Sequence, residues 1–122
     1  MENSSIHEIV FCIVNTGFSE RVMEAARSFG ARGGTILHAR GTVSKDAEKI
    51  FNVTIQPDKE IVMILINTKI RTAMLKGLYA AIGTDTPAQG IVFTLPVDAD
   101  VGITKRKPKE GGETNEKVTN RS

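Results

Sequence analysis

Few residues in this chain are of types that make or break bonds, and their spacing is informative mainly by what it rules out. Cys12 is the only cysteine, so no internal disulfide can form. It sits inside the apolar run IVFCIV (9–14), which leaves no room for a solvated thiol, and it reads as a small core residue. His7 precedes the same run and His38 lies on a second predicted strand. No cysteine or acid stands at metal-ligand spacing to either histidine. Asp98 and Asp100 form a D-x-D pair able to hold a hard cation, although solvated turn acids are the commoner reading of such a pair. No Ser/His/Asp or Cys/His arrangement can be assembled. The sequence therefore does not argue for an enzyme, and no metal is expected.

The remaining candidate is GARGGTILHARGT (30–42), with glycines at 30, 33, 34 and 41 around a short apolar core. A phosphate-cradling glycine loop should open a helix, because helix N-terminal amides hold the anion. Here the glycines open a strand. Gly30 fits the position just after a helix, Gly33 and Gly34 a turn into the strand, and Gly41 its close.

Composition limits the partners. A chain of 122 residues with 40% hydrophobic content suggests one domain with its own core. With no Trp and one Tyr, an aromatic platform for stacking bases is not expected. The net charge of +2 is unevenly placed. The tail from Lys105 carries six Lys/Arg and three Glu, a net +3, which leaves the rest of the chain at −1. A body without a basic face does not support nucleic-acid binding. The opening MENSSIHE has no basic stretch, and the six-residue apolar run after it is too short for a signal or membrane span. The protein is expected to be cytoplasmic, without direct membrane insertion.

These residues must be positioned by six elements. IVFCIV and EIVMILIN (60–67) are continuous β-branched runs that read as strands buried on both faces. Thr35–Ala39 and GIVFTL (90–95) complete four strands. Val22, Ala25, Ala26 and Phe29 mark one face of a first helix, with Ser19 as its cap. Ile70, Met74, Leu78 and Ala81 mark a second, capped by Asn67 or Thr68 and ended by Gly83. The order β-α-β-β-α-β predicts an α+β, ferredoxin-like sandwich. The segment 41–59 is too long for a plain hairpin connection, and Phe51, Val53 and Ile55 alternate with polar residues inside it. The expected domain is 1–104, followed by a charged tail at 105–122.

GARGGTILHARGT, the long segment after it, KEIVMILI, the second helix and GIVFTLPVDADVGI together resemble the nitrogen regulatory protein PII family over roughly residues 6–104. The resemblance is to PII-like members that diverge from the nitrogen sensors in their loops. It implies a ferredoxin-like homotrimer that is not an enzyme. It also implies that an adenine nucleotide, ATP, ADP or AMP, binds in clefts between subunits. A T-loop, here 41–59, would contact a target such as a membrane transporter or metabolic enzyme, with Phe51, Val53 and Ile55 as its apolar contacts. Carried over by position, Ile13, Thr35, Ile36 and Val62 fall on the adenine and ribose side. Gly41 and Thr42 start the T-loop, and Glu60 matches an acidic position near its base. Residues 83–90, GTDTPAQG, occupy the phosphate-gripping B-loop, with Gln89 and Gly90 at its end. That loop lacks the family's terminal lysine, and Gly102 and Thr104 stand where two phosphate-holding arginines are usual. Lys105 and Arg106 are the nearby cations able to replace them. The segment also lacks the tyrosine that the nitrogen sensors modify, since Tyr79 is on the second helix. A metal-handling trimer of the CutA type and a small enzyme such as an acylphosphatase, using Arg21, are the alternatives on the same fold.

Overall fold

The first apolar run pairs on both edges, which makes it the centre of the sheet. In the computed structural model, which describes residues 6–42 and 57–99 with Asp46 and Gly102 as isolated positions, β1 spans His7–Asn15. It lies between β3 (Asp58–Asn67) and β4 (Ile91–Pro96), and β2 (Thr35–Arg40) pairs with β3. The order is β2-β3-β1-β4 and every neighbouring pair is antiparallel. Among the described residues, the helices α1 (Ser19–Ser28) and α2 (Arg71–Ile82) complete the ferredoxin-like α+β fold, with a 3-10 turn at Thr68–Ile70 leading into α2.

Strand side chains alternate between faces, so one parity builds the core. Val10, Cys12 and Val14 of β1 meet Val62, Ile64 and Ile66 of β3 beneath Val22, Met23 and Ala26 of α1 and Met74, Leu78 and Ile82 of α2. Full burial of each large aliphatic side chain contributes roughly 1.5–3 kcal/mol. The other parity is also apolar, and no helix of the described residues lies over it. Phe93 and Leu95 of β4 and Leu65 of β3 are exposed, and Phe11 stacks on Phe93 with ring centroids 5.2 Å apart. The expectation that β1 and β3 are buried on both faces therefore holds for only one face of a single chain.

Helix ends follow local chemistry, with one substitution of roles. Asn67 Oδ1 accepts from the Lys69 amide at 2.8 Å, as its side-chain type predicts. Gly30 follows α1 at φ +107, the left-handed conformation glycine adopts without strain. Ser19, expected as the cap of α1, is instead its first residue. The carboxylate of Glu60, on β3, accepts from the Gly17 and Ser19 amides at 3.1 and 3.3 Å and serves the helix start from across the fold. At the other end of the sheet, Arg71 donates to Glu8 at 2.7 Å and ties the start of α2 to β1.

Candidate functional site

Three chain segments meet at the end of the sheet where β1 stops. Asn15, the last residue of β1, is opposite Lys59 near the start of β3. Its backbone amide donates to Ala88 O at 2.9 Å. Its side-chain amide donates to Pro87 O at 3.0 Å and to Gln89 Oε1 at 3.3 Å. Asn15 Oδ1 accepts from Lys59 Nζ at 2.7 Å. The stem of Lys59 in turn runs over Gly41, where an added Cβ would approach Lys59 Cε to 3.2 Å. The Gly41 amide donates to Pro57 O at 2.7 Å, which holds the two ends of the 41–59 segment together. The loop 83–90, the end of β1 and the base of that segment thus form one hydrogen-bonded unit.

Beside this polar rim lies an apolar shelf. Ile13 pairs with Ile61 on one side and Ile91 on the other, all on the helix-free face and all at least partly accessible. Partly accessible apolar surface ending in the Lys59 ammonium suits a ligand with a ring at one end and an anion at the other.

The loop itself is folded inward. The amides of Gly83, Thr86, Gln89 and Gly90 donate to Tyr79 O, Gly83 O, Thr86 O and Ile82 O, and that of Ala88 donates to Thr86 Oγ1. Gln89 has φ +48, uncommon for a residue with a side chain and held here by the bonds on either side. Gly90 must be glycine, because a Cβ there would overlap the Ile82 carbonyl oxygen. Such a loop offers few amides to a phosphate.

The sequence-predicted residues separate into distinct places. Ile13, Gly41, Thr42, Gln89 and Gly90 lie at this sheet end. Thr35 and Ile36 are exposed at the opposite end of β2, about 20 and about 17 Å from Gly41 at ~3.3 Å per residue. Val62 is sealed in the core at 0% exposure, so its side chain presents nothing to a ligand of this chain. Glu60 is close in sequence but faces the helix side, where one oxygen caps α1 and the other lies 3.8 Å from His38 Nδ1. Its carboxylate has a structural role that its position in the sequence did not indicate. Lys105, Arg106, Phe51, Val53 and Ile55 lie outside the described residues. Asn15 and Lys59 were missed. Each ends or begins an apolar run, but only strand register puts one opposite the other.

Among the described residues, no group of three or more His, Cys, Asp or Glu could hold a metal ion, and no helix is long and apolar enough to cross a membrane. Arg21, the anion-binding candidate of the acylphosphatase alternative, lies over the Phe18 ring at 5.8 Å. The nearby Gly17 and Ser19 amides are occupied by Glu60.

No protein-family model and no curated protein matches the sequence. Solved structures do match. The chain is similar to Arabidopsis thaliana PII bound to citrate, with TM-score 0.59 and 21% identity over 78% of this chain and 80% of that one. It is similar to CPII, a nitrogen regulatory PII-like protein from Thiomonas intermedia K12 bound to ADP, AMP and bicarbonate, with TM-score 0.59 and 14% identity over 80% and 96%. It is also similar to a Bacillus cereus protein related to NIF3, with TM-score 0.61 and 14% identity over 80% of this chain but 27% of that one. The chain therefore has the fold of PII and PII-like proteins, and the same fold recurs inside a longer, different protein. Fold alone does not select among functions.

Proposed function

We propose that this chain is a PII-like regulatory protein rather than an enzyme. It binds an adenine nucleotide in clefts between the subunits of a homotrimer and regulates a partner protein through residues 41–59. The observation that carries the reading is the sheet end itself. An apolar shelf (Ile13, Ile61, Ile91) and a polar rim (Asn15, Lys59, Gln89) lie where the 83–90 loop is bonded to the base of the 41–59 segment. A ligand there contacts both, so its occupancy can bias the segment a partner reads. That solved structures of this fold hold ADP, AMP and bicarbonate in one protein and citrate in another supports a small anionic ligand. The occupied amides at Gly17 and Ser19 speak against a catalytic anion cradle after β1.

On this reading the domain spans residues 1–104, with 105–122 a charged tail. The protein works in the cytoplasm, and its partner is a metabolic enzyme or a membrane transporter contacted through Phe51, Val53 and Ile55. The trimer is supported by the helix-free apolar face, since a small domain rarely leaves so continuous an apolar surface in water. Because the loop amides are engaged, affinity should depend little on the number of phosphates. Calorimetry against AMP, ADP and ATP tests this. ADP or AMP is expected to bind no more weakly than ATP, and 2-oxoglutarate weakly or not at all. Absence of heat from all three nucleotides would overturn the nucleotide assignment.

A further inference from the structure

At the sheet end far from Asn15 and Lys59, one buried acid is used only in part. Glu8, near the start of β1, is 5% exposed. Its Oε2 accepts from Arg71 Nη1 at 2.7 Å. Its Oε1 is shut off from solvent and has no hydrogen-bond partner among the described residues, and the same is true of Thr68 Oγ1. The two atoms belong to one corner of the fold. Glu8 is opposite Ile66 in the strand register. Thr68 lies two residues beyond Ile66, and its amide donates to Ile6 O at 2.9 Å. Thr68 is therefore the diagonal neighbour of Glu8, at the roughly 7–8 Å backbone spacing of such pairs. The same corner holds the start of α2, which its own sequence does not cap: Ile70 provides no side-chain cap and no acid stands in the first turn.

We propose that this corner is a binding site for one buried water molecule, which donates to Glu8 Oε1, bonds Thr68 Oγ1 and so joins β1, the 3-10 turn and the start of α2 through one centre. The chemistry selects water over other ligands. The carboxylate already faces a guanidinium, so a second cation would meet the charge of Arg71. Two protein oxygens are too few for Ca2+ or Mg2+ in a closed site, since such ions take six or more oxygen ligands. An organic ligand has no way in, because neither oxygen meets solvent. A buried water needs two to four polar partners. An ionised carboxylate accepts from it, and a hydroxyl can either donate or accept. A first-turn amide of α2 supplies a further donor. Arg71 is half-exposed while Glu8 is not, so the guanidinium holds the outer side of the carboxylate and the water its inner side. α2 is then capped from β1 through water, as α1 is capped from β3 by Glu60 directly. This site is independent of the nucleotide reading above.

The test compares wild type with Thr68→Val, which keeps the shape and removes the hydroxyl, and with Thr68→Ser, which keeps the hydroxyl. Long-lived internal waters are counted by magnetic relaxation dispersion of the water oxygen, and folding is followed by circular dichroism and urea unfolding. Thr68→Val should hold one long-lived water fewer than wild type, and Thr68→Ser the same number. Thr68→Val should also raise the unfolding equilibrium constant roughly fivefold to a hundredfold, because Glu8 Oε1 loses its bridge. A crystal structure of wild type should show one isolated peak within about 3 Å of both oxygens, a measurement that decides the matter even where Thr68→Val does not fold. An unchanged water count in folded Thr68→Val overturns the inference. So does an ion or a side chain of the chain itself found between the two oxygens, or a direct hydrogen bond from Thr68 to Glu8.

Discussion

At the scale of single residues, the side chains most able to do chemistry are those the fold has put to other uses. Burial raises the Cys12 thiol from 9.0 to about 12, because the thiolate would have to form in an apolar interior. The sign of its linkage to stability follows directly. The folded value lies above the unfolded one, so the contribution is fully present below pH 9 and is lost as pH rises from 9 toward 12. Over that window the unfolded chain gives up a proton that the folded chain keeps. At ~1.4 kcal/mol per pH unit, a shift of this size removes up to ~4 kcal/mol. Urea unfolding of wild type and Cys12→Ala between pH 8 and 11 should show the steeper decline in wild type. Identical slopes would mean that Cys12 is not sealed from water. Native protein should also resist alkylation by iodoacetamide and react promptly once unfolded. Glu60 makes a related point: a carboxylate that suggested ligand binding is occupied by the start of α1.

At the scale of elements, the connection between α2 and β4 sets the geometry of the site. Gly90 donates to Ile82 O at 2.6 Å, and an added Cβ would overlap that same backbone oxygen and press on Val14. A backbone atom in a helix end cannot swing aside as a side-chain tip can. Gly90→Ala should therefore destabilise by about 1–3 kcal/mol, as overpacking does, and should displace the loop that Asn15 anchors. Gly33 is the control. Nothing lies within 4 Å of its position and its φ is not left-handed, so Gly33→Ala should stay within ~0.5 kcal/mol of wild type. Denaturation midpoints of the two variants check the pair, and equal effects would contradict the packing account. The glycines of 30–42 divide in the same way: Gly30 answers a backbone demand and Gly34 a close approach to Met23 and Met63, whereas Gly33 meets neither.

At the scale of the whole molecule, the described residues cover the sheet on one side only. Phe93 is 39% exposed on the open face and stacks on Phe11, while Leu65 and Leu95 flank the same surface. If copies of the chain cover this face, each contact should bury more than about 1,200 Å² in total, the size of a stable specific interface. A charge placed at its centre would then have to be desolvated in every copy. On the trimeric reading proposed above, Phe93→Asp should yield folded monomers, seen by light scattering as a threefold fall in mass with the circular dichroism spectrum retained. A wild type that is monomeric at micromolar concentration would remove the trimer from the reading.

The core was legible in the linear sequence because strands and helices announce themselves by period. The two β-branched runs, the face of Met74 and Leu78, a cap at Asn67 or Thr68 and the glycine after α1 follow from side-chain spacing and backbone preference, and they determine the ferredoxin-like order of elements; only the structure selects Asn67. The same runs misled about burial. A strand that is apolar on both faces demands cover on both, but its spacing cannot say whether the second cover is a helix or another copy. The site was less legible. Ile13 and the 83–90 loop were found through resemblance. Val62 could not be separated from its accessible neighbours, since residues one apart on a strand point to opposite faces and only packing of the helices decides which face is sealed. Asn15 and Lys59 are 44 positions apart, and their hydrogen bond exists because β1 and β3 pair antiparallel in one register. Local periodicity sets the elements, whereas a polar contact between strand ends depends on that register and on the loop packed against it, so only the tertiary structure could bring these two residues together.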